Sequence, residues 1–99
     1  MKTQMKINAM HKGDVNIIKD CIVSNSPILL LNAIMAGTKR KLHDDNFIKG
    51  VKDAENSDET LMGIPLKKVA AASLHLLGVK KYSGNDETIK TMIDTEFGL

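Results

Sequence analysis

The stretch KLHDDNFIKGVKDAE at 41–55 returns, altered, as YSGNDETIKTMIDTE at 82–96. At a shift of forty-one positions Asp45 meets Asp86, Ile48 meets Ile89, Lys49 meets Lys90, Asp53 meets Asp94 and Glu55 meets Glu96. The match continues upstream, where Gly37 meets Gly78, Lys39 meets Lys80 and Arg40 meets Lys81. Each unit reads as a long apolar helix with a late glycine, a basic turn, an acidic cap and a shorter amphipathic helix. One such pair leaves its apolar side in water, whereas two stacked pairs hide both. The repeat therefore favours architectures in which like-built helical hairpins lie against each other.

Periodicity supports the helices one by one. Asp14 is placed to cap a helix whose Val15, Ile18, Cys21 and Ile22 share a face, stopping near Asn25-Ser26-Pro27. Pro27 opens the next, to about Leu42, with Leu30, Leu31, Ile34, Met35 and Thr38 on a wide apolar arc. Asp44 or Asp45 caps a third that turns Phe47, Ile48, Val51 and Ala54 inward. The segment PLKKVAAASLHLLGVKK carries Leu66, Val69, Ala70, Ser73, Leu74 and Leu77 at helical spacing. A last helix, capped by Ser83, Asn85 or Asp86, points Ile89, Met92 and Ile93 inward.

No segment alternates long enough to predict a strand. Residues 1–13 have weak periodicity and are expected as a flexible lead-in or a short helix, ahead of a single helical domain at 14–99. Residues 56–63 are expected to be a polar loop. With no Trp, one Tyr and two Phe among 99 residues, the core must be aliphatic, which suits helix layers. The fold class is all-α.

The phrases FIKGVKDAEN, PLKKVAAASLHLLG and ETIKTMIDTE resemble the alternating helices of HEAT/armadillo-like repeat proteins. Ala71, Ala72, Leu74, Leu77 and Gly78 carry the first-helix pattern, and Ile89, Met92, Ile93 and Asp94 the second. The likeness covers roughly residues 14–97. It departs from the family in lacking the usual arginine and in the insertion at 56–64. It implies a short right-handed α-solenoid of about five helices, two pairs plus a preceding helix; an irregular five-helix bundle is the alternative. It also implies that the second helices line a binding face. In size and want of chemistry the chain is similar to small bacterial immunity proteins, which neutralise a partner toxin.

Recognisable chemistry is missing from the sequence. There is no phosphate-cradling glycine loop, HExxH or CxxC. His11, His43 and His75 lack ligand spacing, and the lone Cys21 reads as a small buried hydrophobe. Asp44, Asp45, Asp86 and Glu87 stand at predicted helix starts, where the dipole favours anions; Lys39, Arg40, Lys41, Lys80 and Lys81 stand at predicted ends. No catalytic residue, cofactor or metal ligand is predicted, and the chain reads as non-enzymatic.

Charge runs from eight basic against four acidic residues up to Gly50 to six against eight from Val51 onward. The lysine clusters at 39–41, 67–68 and 80–81 raise a nucleic-acid regulator as an alternative, opposed by interspersed acids and scarce aromatics. A self-assembling element, such as a homodimer, is a further alternative, since a short solenoid has open apolar ends. The leading expectation is a protein-binding module. Its face is drawn from Lys49, Lys52, Asp53, Lys90 and Asp94, with Asp44, Asp45 and Asp86 at the rim and Asp58, Glu59 and Met62 of the loop contributing. The apolar runs are too short for a membrane span and the start lacks a secretory pattern, so no membrane partner and a cytoplasmic location are expected.

Overall fold

The computed structural model describes residues 1–97. In chain order the elements are α1 (Thr3–His11), α2 (Val15–Cys21), α3 (Pro27–Lys39), α4 (Asp45–Ala54), β1 (Thr60–Leu61), β2 (Ile64–Pro65), α5 (Leu66–Leu76) and α6 (Glu87–Thr95). The protein is all-α apart from one two-residue hairpin.

Helix α3 is the hub, packing on α1, α2 and α5. Its fully buried residues are mostly small, Ala33, Ala36 and Gly37 beside Ile34, while the expected Leu30, Leu31 and Met35 are only half-buried. Small side chains let neighbouring helices approach closely, so the largest apolar residues of α3 fill its flanks. Helix α5 follows its sequence stripe throughout: Leu66, Val69, Ala70, Ser73, Leu74 and Leu77 are all buried. Helices α4 and α6 both rest on α5. The stacking of the first helices of the two units, α3 on α5, is present.

Two contacts fix α4. The ring of Phe47, fully buried, lies against Gly37 so tightly that a Cβ on Gly37 would overlap it. On the same helix Gly50 meets Ile22, whose carbonyl oxygen would stand 3.2 Å from a Cβ at that position. Between α3 and α5 a buried polar pair is fully satisfied. Thr38 Oγ1 donates its single hydrogen to the Ile34 carbonyl (2.6 Å), so the Ser73 hydroxyl must donate to Thr38.

Four helices close with the same C-terminal motif, in which an N–H just past a left-handed residue bonds back five residues to the last turn. Asp14 N–H reaches Ala9, Leu42 N–H reaches Gly37, Val79 N–H reaches Leu74 and Phe97 N–H reaches Met92. The left-handed residue is Gly13 in α1 (φ 103°) and Gly78 in α5 (φ 74°), but Lys41 in α3 (φ 54°) and Glu96 in α6 (φ 48°). These closures end α3 at Lys39 rather than Leu42, and leave Lys80 and Lys81 beyond α5 instead of inside it.

Residues 1–13 take the helical alternative: α1 packs on α3 and buries Met10 completely. The folded unit thus begins at Thr3 rather than Asp14, and there are six helices rather than five among the described residues. The expected loop at 56–63 contains β1 and the tight turn into β2, with Leu61 opposite Ile64. Met62 (φ 54°) and Gly63 (φ 81°) form that turn, both in the left-handed region that two-residue hairpins require. Two residues per strand are too few for alternation to register in sequence.

Phe47→Ala should cost about 3–5 kcal/mol by leaving a cavity, and Gly37→Ala about 1–3 kcal/mol by overpacking. Urea denaturation of Gly37→Ala, of Phe47→Leu and of the double variant Gly37→Ala/Phe47→Leu should show strong coupling, the smaller side chain recovering part of the loss. Additive effects would show that ring and glycine do not press on each other.

Candidate protein-docking groove

A groove of about 760 Å³ runs along α2 and α4. Ile22, Leu30, Gly50 and Ala54 form its apolar base, and Val23, 73% exposed, stands at its edge. The rim is polar, with Lys19 and Asp20 on α2 and Asn46, Lys49 and Asp53 on α4. The groove exists because Gly50 brings α4 down onto Ile22, while Pro27 starts α3 where Leu30 can reach the space between them.

Two kinds of ion pair border it. Lys49 Nζ meets Asp53 Oδ2 at 3.3 Å within α4, both side chains largely exposed. Such a pair adds little stability, so a partner can replace it at small cost. Lys19 meets Asp44 at 3.3 Å, and there the carboxylate has a structural task as well. Asp44 caps α4, accepting from the Asn46 N–H (3.0 Å) and the Phe47 N–H (3.1 Å). The Phe47 N–H, with Lys19 behind it, holds the Asp44 carboxyl below its ordinary range against some desolvation.

The same device recurs at α6. Asp86 caps it through the Thr88 and Ile89 N–H groups and pairs with Lys68 of α5 at 2.9 Å. Lys68 is the main cause of its lowered pKa, followed by opposing desolvation and then the backbone donors. The caps are forty-two residues apart, not forty-one. Asp45, the residue aligned with Asp86 in sequence, is an exposed first-turn residue. Gly37 and Gly78, likewise aligned, differ in role: the first is buried inside a helix and the second ends one.

This one-residue slip separates the predicted site into two groups. Lys49 and Asp53 lie on the groove, with Lys52 exposed on the same helix. Lys90 pairs with Glu87 (3.8 Å), not with Asp94. Lys90 and Asp94 border a separate hollow of about 330 Å³ with His75, Tyr82 and Ile93. Helices α4 and α6 both rest on α5, and their charged residues border different hollows. Asp58 and Glu59 are exposed before the hairpin, where the Glu59 carbonyl accepts from Leu66 N–H. Sequence reasoning overlooked Lys19, Asp20 and Val23, and placed Leu30 only on an apolar arc; an apolar Val23 directly before the polar Ser24-Asn25-Ser26 was the available signal.

The lysine-rich segments are mostly occupied by the chain itself. Arg40 donates to the His11 carbonyl (3.2 Å) and Lys41 to the Leu76 carbonyl (3.3 Å), both at helix ends. Lys41 also meets Glu96 at 3.6 Å, and Lys80 meets Glu55 at 3.4 Å. Cys21 is buried, and burial pushes its thiol pKa up. Among the described residues no three His, Cys, Asp or Glu side chains converge as a metal site would need, and no helix is long and apolar enough to cross a membrane. Comparison with family models, curated proteins and solved structures finds no match.

Both capping aspartates have depressed folded-state pKa values, so their contribution is present above the unfolded value of about 3.9 and is lost as pH falls through the folded ones. Urea midpoints should therefore drop on the acid side of about pH 4. Asp86→Asn, which keeps a capping side chain, should flatten part of that drop. An unchanged acid limb in this variant would remove Asp86 from the account.

Proposed function

We propose that this chain is a non-catalytic protein-binding module, an immunity-type inhibitor that neutralises a cognate toxin in the cytoplasm by steric and electrostatic blockade. Its scaffold is read as a miniature HEAT-like arrangement. The observation that carries the reading is the groove between α2 and α4. It combines an apolar base, an exposed Val23 and a rim whose Lys49–Asp53 pair is weakly held.

The occupant is a polypeptide segment that sets an aliphatic side chain against Val23 and Leu30 and presents opposite charges to Lys49 and Asp53. Charge matching of this kind speeds encounter and selects partners more than it adds affinity. The reading of Lys49, Lys52 and Asp53 as binding residues is kept. Asp44 and Asp86 have structural duties that explain them without a partner. The nucleic-acid alternative is weakened because Arg40, Lys41, Lys68 and Lys80 already meet acceptors within the chain.

Co-expression with the product of the neighbouring reading frame, followed by light scattering on a sizing column, tests the proposal. A stoichiometric complex that survives nuclease treatment is expected. Lys49→Glu/Asp53→Lys should weaken it by roughly tenfold, about 1.4 kcal/mol, with an unchanged melting temperature. Equal affinity in that variant would reject the groove. A salt-steep mobility shift with RNA or DNA, or a mass that grows with concentration of the chain alone, would replace the reading by one of the alternatives.

A further inference from the structure

We infer that His43 acts in its doubly protonated form as a clasp on the end of α5, so that the hold on the turn after α3 responds to pH. Both ring nitrogens face backbone carbonyl oxygens. Nδ1 lies 2.7 Å from the Lys41 oxygen and Nε2 lies 2.8 Å from the Leu77 oxygen. A carbonyl oxygen only accepts, so each bond needs an N–H on the ring. The neutral imidazole has one N–H and one lone pair, and in either tautomer one of these short contacts sets two lone pairs against each other. The imidazolium alone satisfies both.

The position suits a cation. Leu77 is the residue that caps α5, and its carbonyl belongs to the group that a helix end leaves without an internal partner. Positive charge there also meets the negative end of the helix dipole. The preceding carbonyl, of Leu76, takes Lys41 Nζ from the same turn.

Most charged and titratable groups on the surrounding elements are engaged elsewhere. From the turn itself, Lys41 meets Glu96 of the segment after α6, and Asp44 meets Lys19. From the segment after α5, Lys80 meets Glu55, with Lys81 exposed beside it. From α5, His75 Nδ1 accepts the Tyr82 N–H (2.9 Å), an arrangement that requires a bare nitrogen. His43 and His75 thus have opposite demands. One needs the second proton and the other is disrupted by it.

Loss of the proton from His43 gives up one of its two bonds. Because Asp44 follows directly and caps α4, the loosened turn is the one that positions the groove's second wall.

Urea denaturation of the full chain and of His43→Gln at about pH 5.5 and about pH 8, the range in which histidine changes charge, tests this. Glutamine keeps one donor at every pH. The folding constant of the parent relative to His43→Gln should be roughly two- to fivefold larger at the acid end, and for His75→Gln the trend should reverse. A His43→Gln difference that is flat with pH, or that grows toward alkaline pH, would overturn the clasp.

Discussion

The short turn between α3 and α4 holds this structure together. Within residues 40–44, Arg40 closes the end of α1, Lys41 and His43 close the end of α5, and Asp44 opens α4. Three helices that are distant in sequence have their unpaired backbone groups answered by one segment of five residues. Just outside it, Gly37 and Phe47 lock the two flanking helices ring against backbone. The arrangement demands a left-handed residue at position 41. A lysine fills it despite the steric cost, and its ammonium reaches both the Leu76 carbonyl and Glu96.

That turn also explains why the sequence repeat is real and yet misleading. The recurring letters around 37–55 and 78–96 correspond to real recurrences of helix, turn, cap and helix. Their register is not conserved in space, however, since the caps are one residue further apart than the letters are. Along an amphipathic helix one residue is a rotation of about 100°, enough to carry a charged row away from its counterpart. Helices α2 to α6 were legible because each has its own periodicity, and the buried stripe of α5 was read in full, although its end lies earlier than the periodicity suggests. What could not be read was how two units rotate against each other. Contacts such as Phe47 on Gly37 decide that.

The same division applies to the site. Lys49 and Asp53 were identifiable because i, i+4 charges on an exposed face follow from helix geometry alone. The α2 side of the groove was not, because Lys19 and Val23 acquire meaning only when Gly50 admits Ile22. Gly37, Gly50 and the alanines of α3 are places where something else comes close. Local periodicity carries no record of the visitor.

The distribution of ion pairs bears on what the surface is for. Asp44 and Asp86 each join a helix start to a lysine of another helix, and their partners Lys19 and Lys68 are half-buried. Removing either charge therefore disturbs a cap as well as a pair. Lys49 and Asp53 instead bond to each other on the exposed face of one helix, and their pair joins no second element. A partner that opens this pair gives up almost no stability of the chain, whereas one that opens Lys68–Asp86 works against the cap of α6. Of the charges read from sequence as a binding face, those on α4 combine free exposure with an apolar groove beside them. Opening the charges on α4 would accordingly cost the fold less than opening those of the capping aspartates.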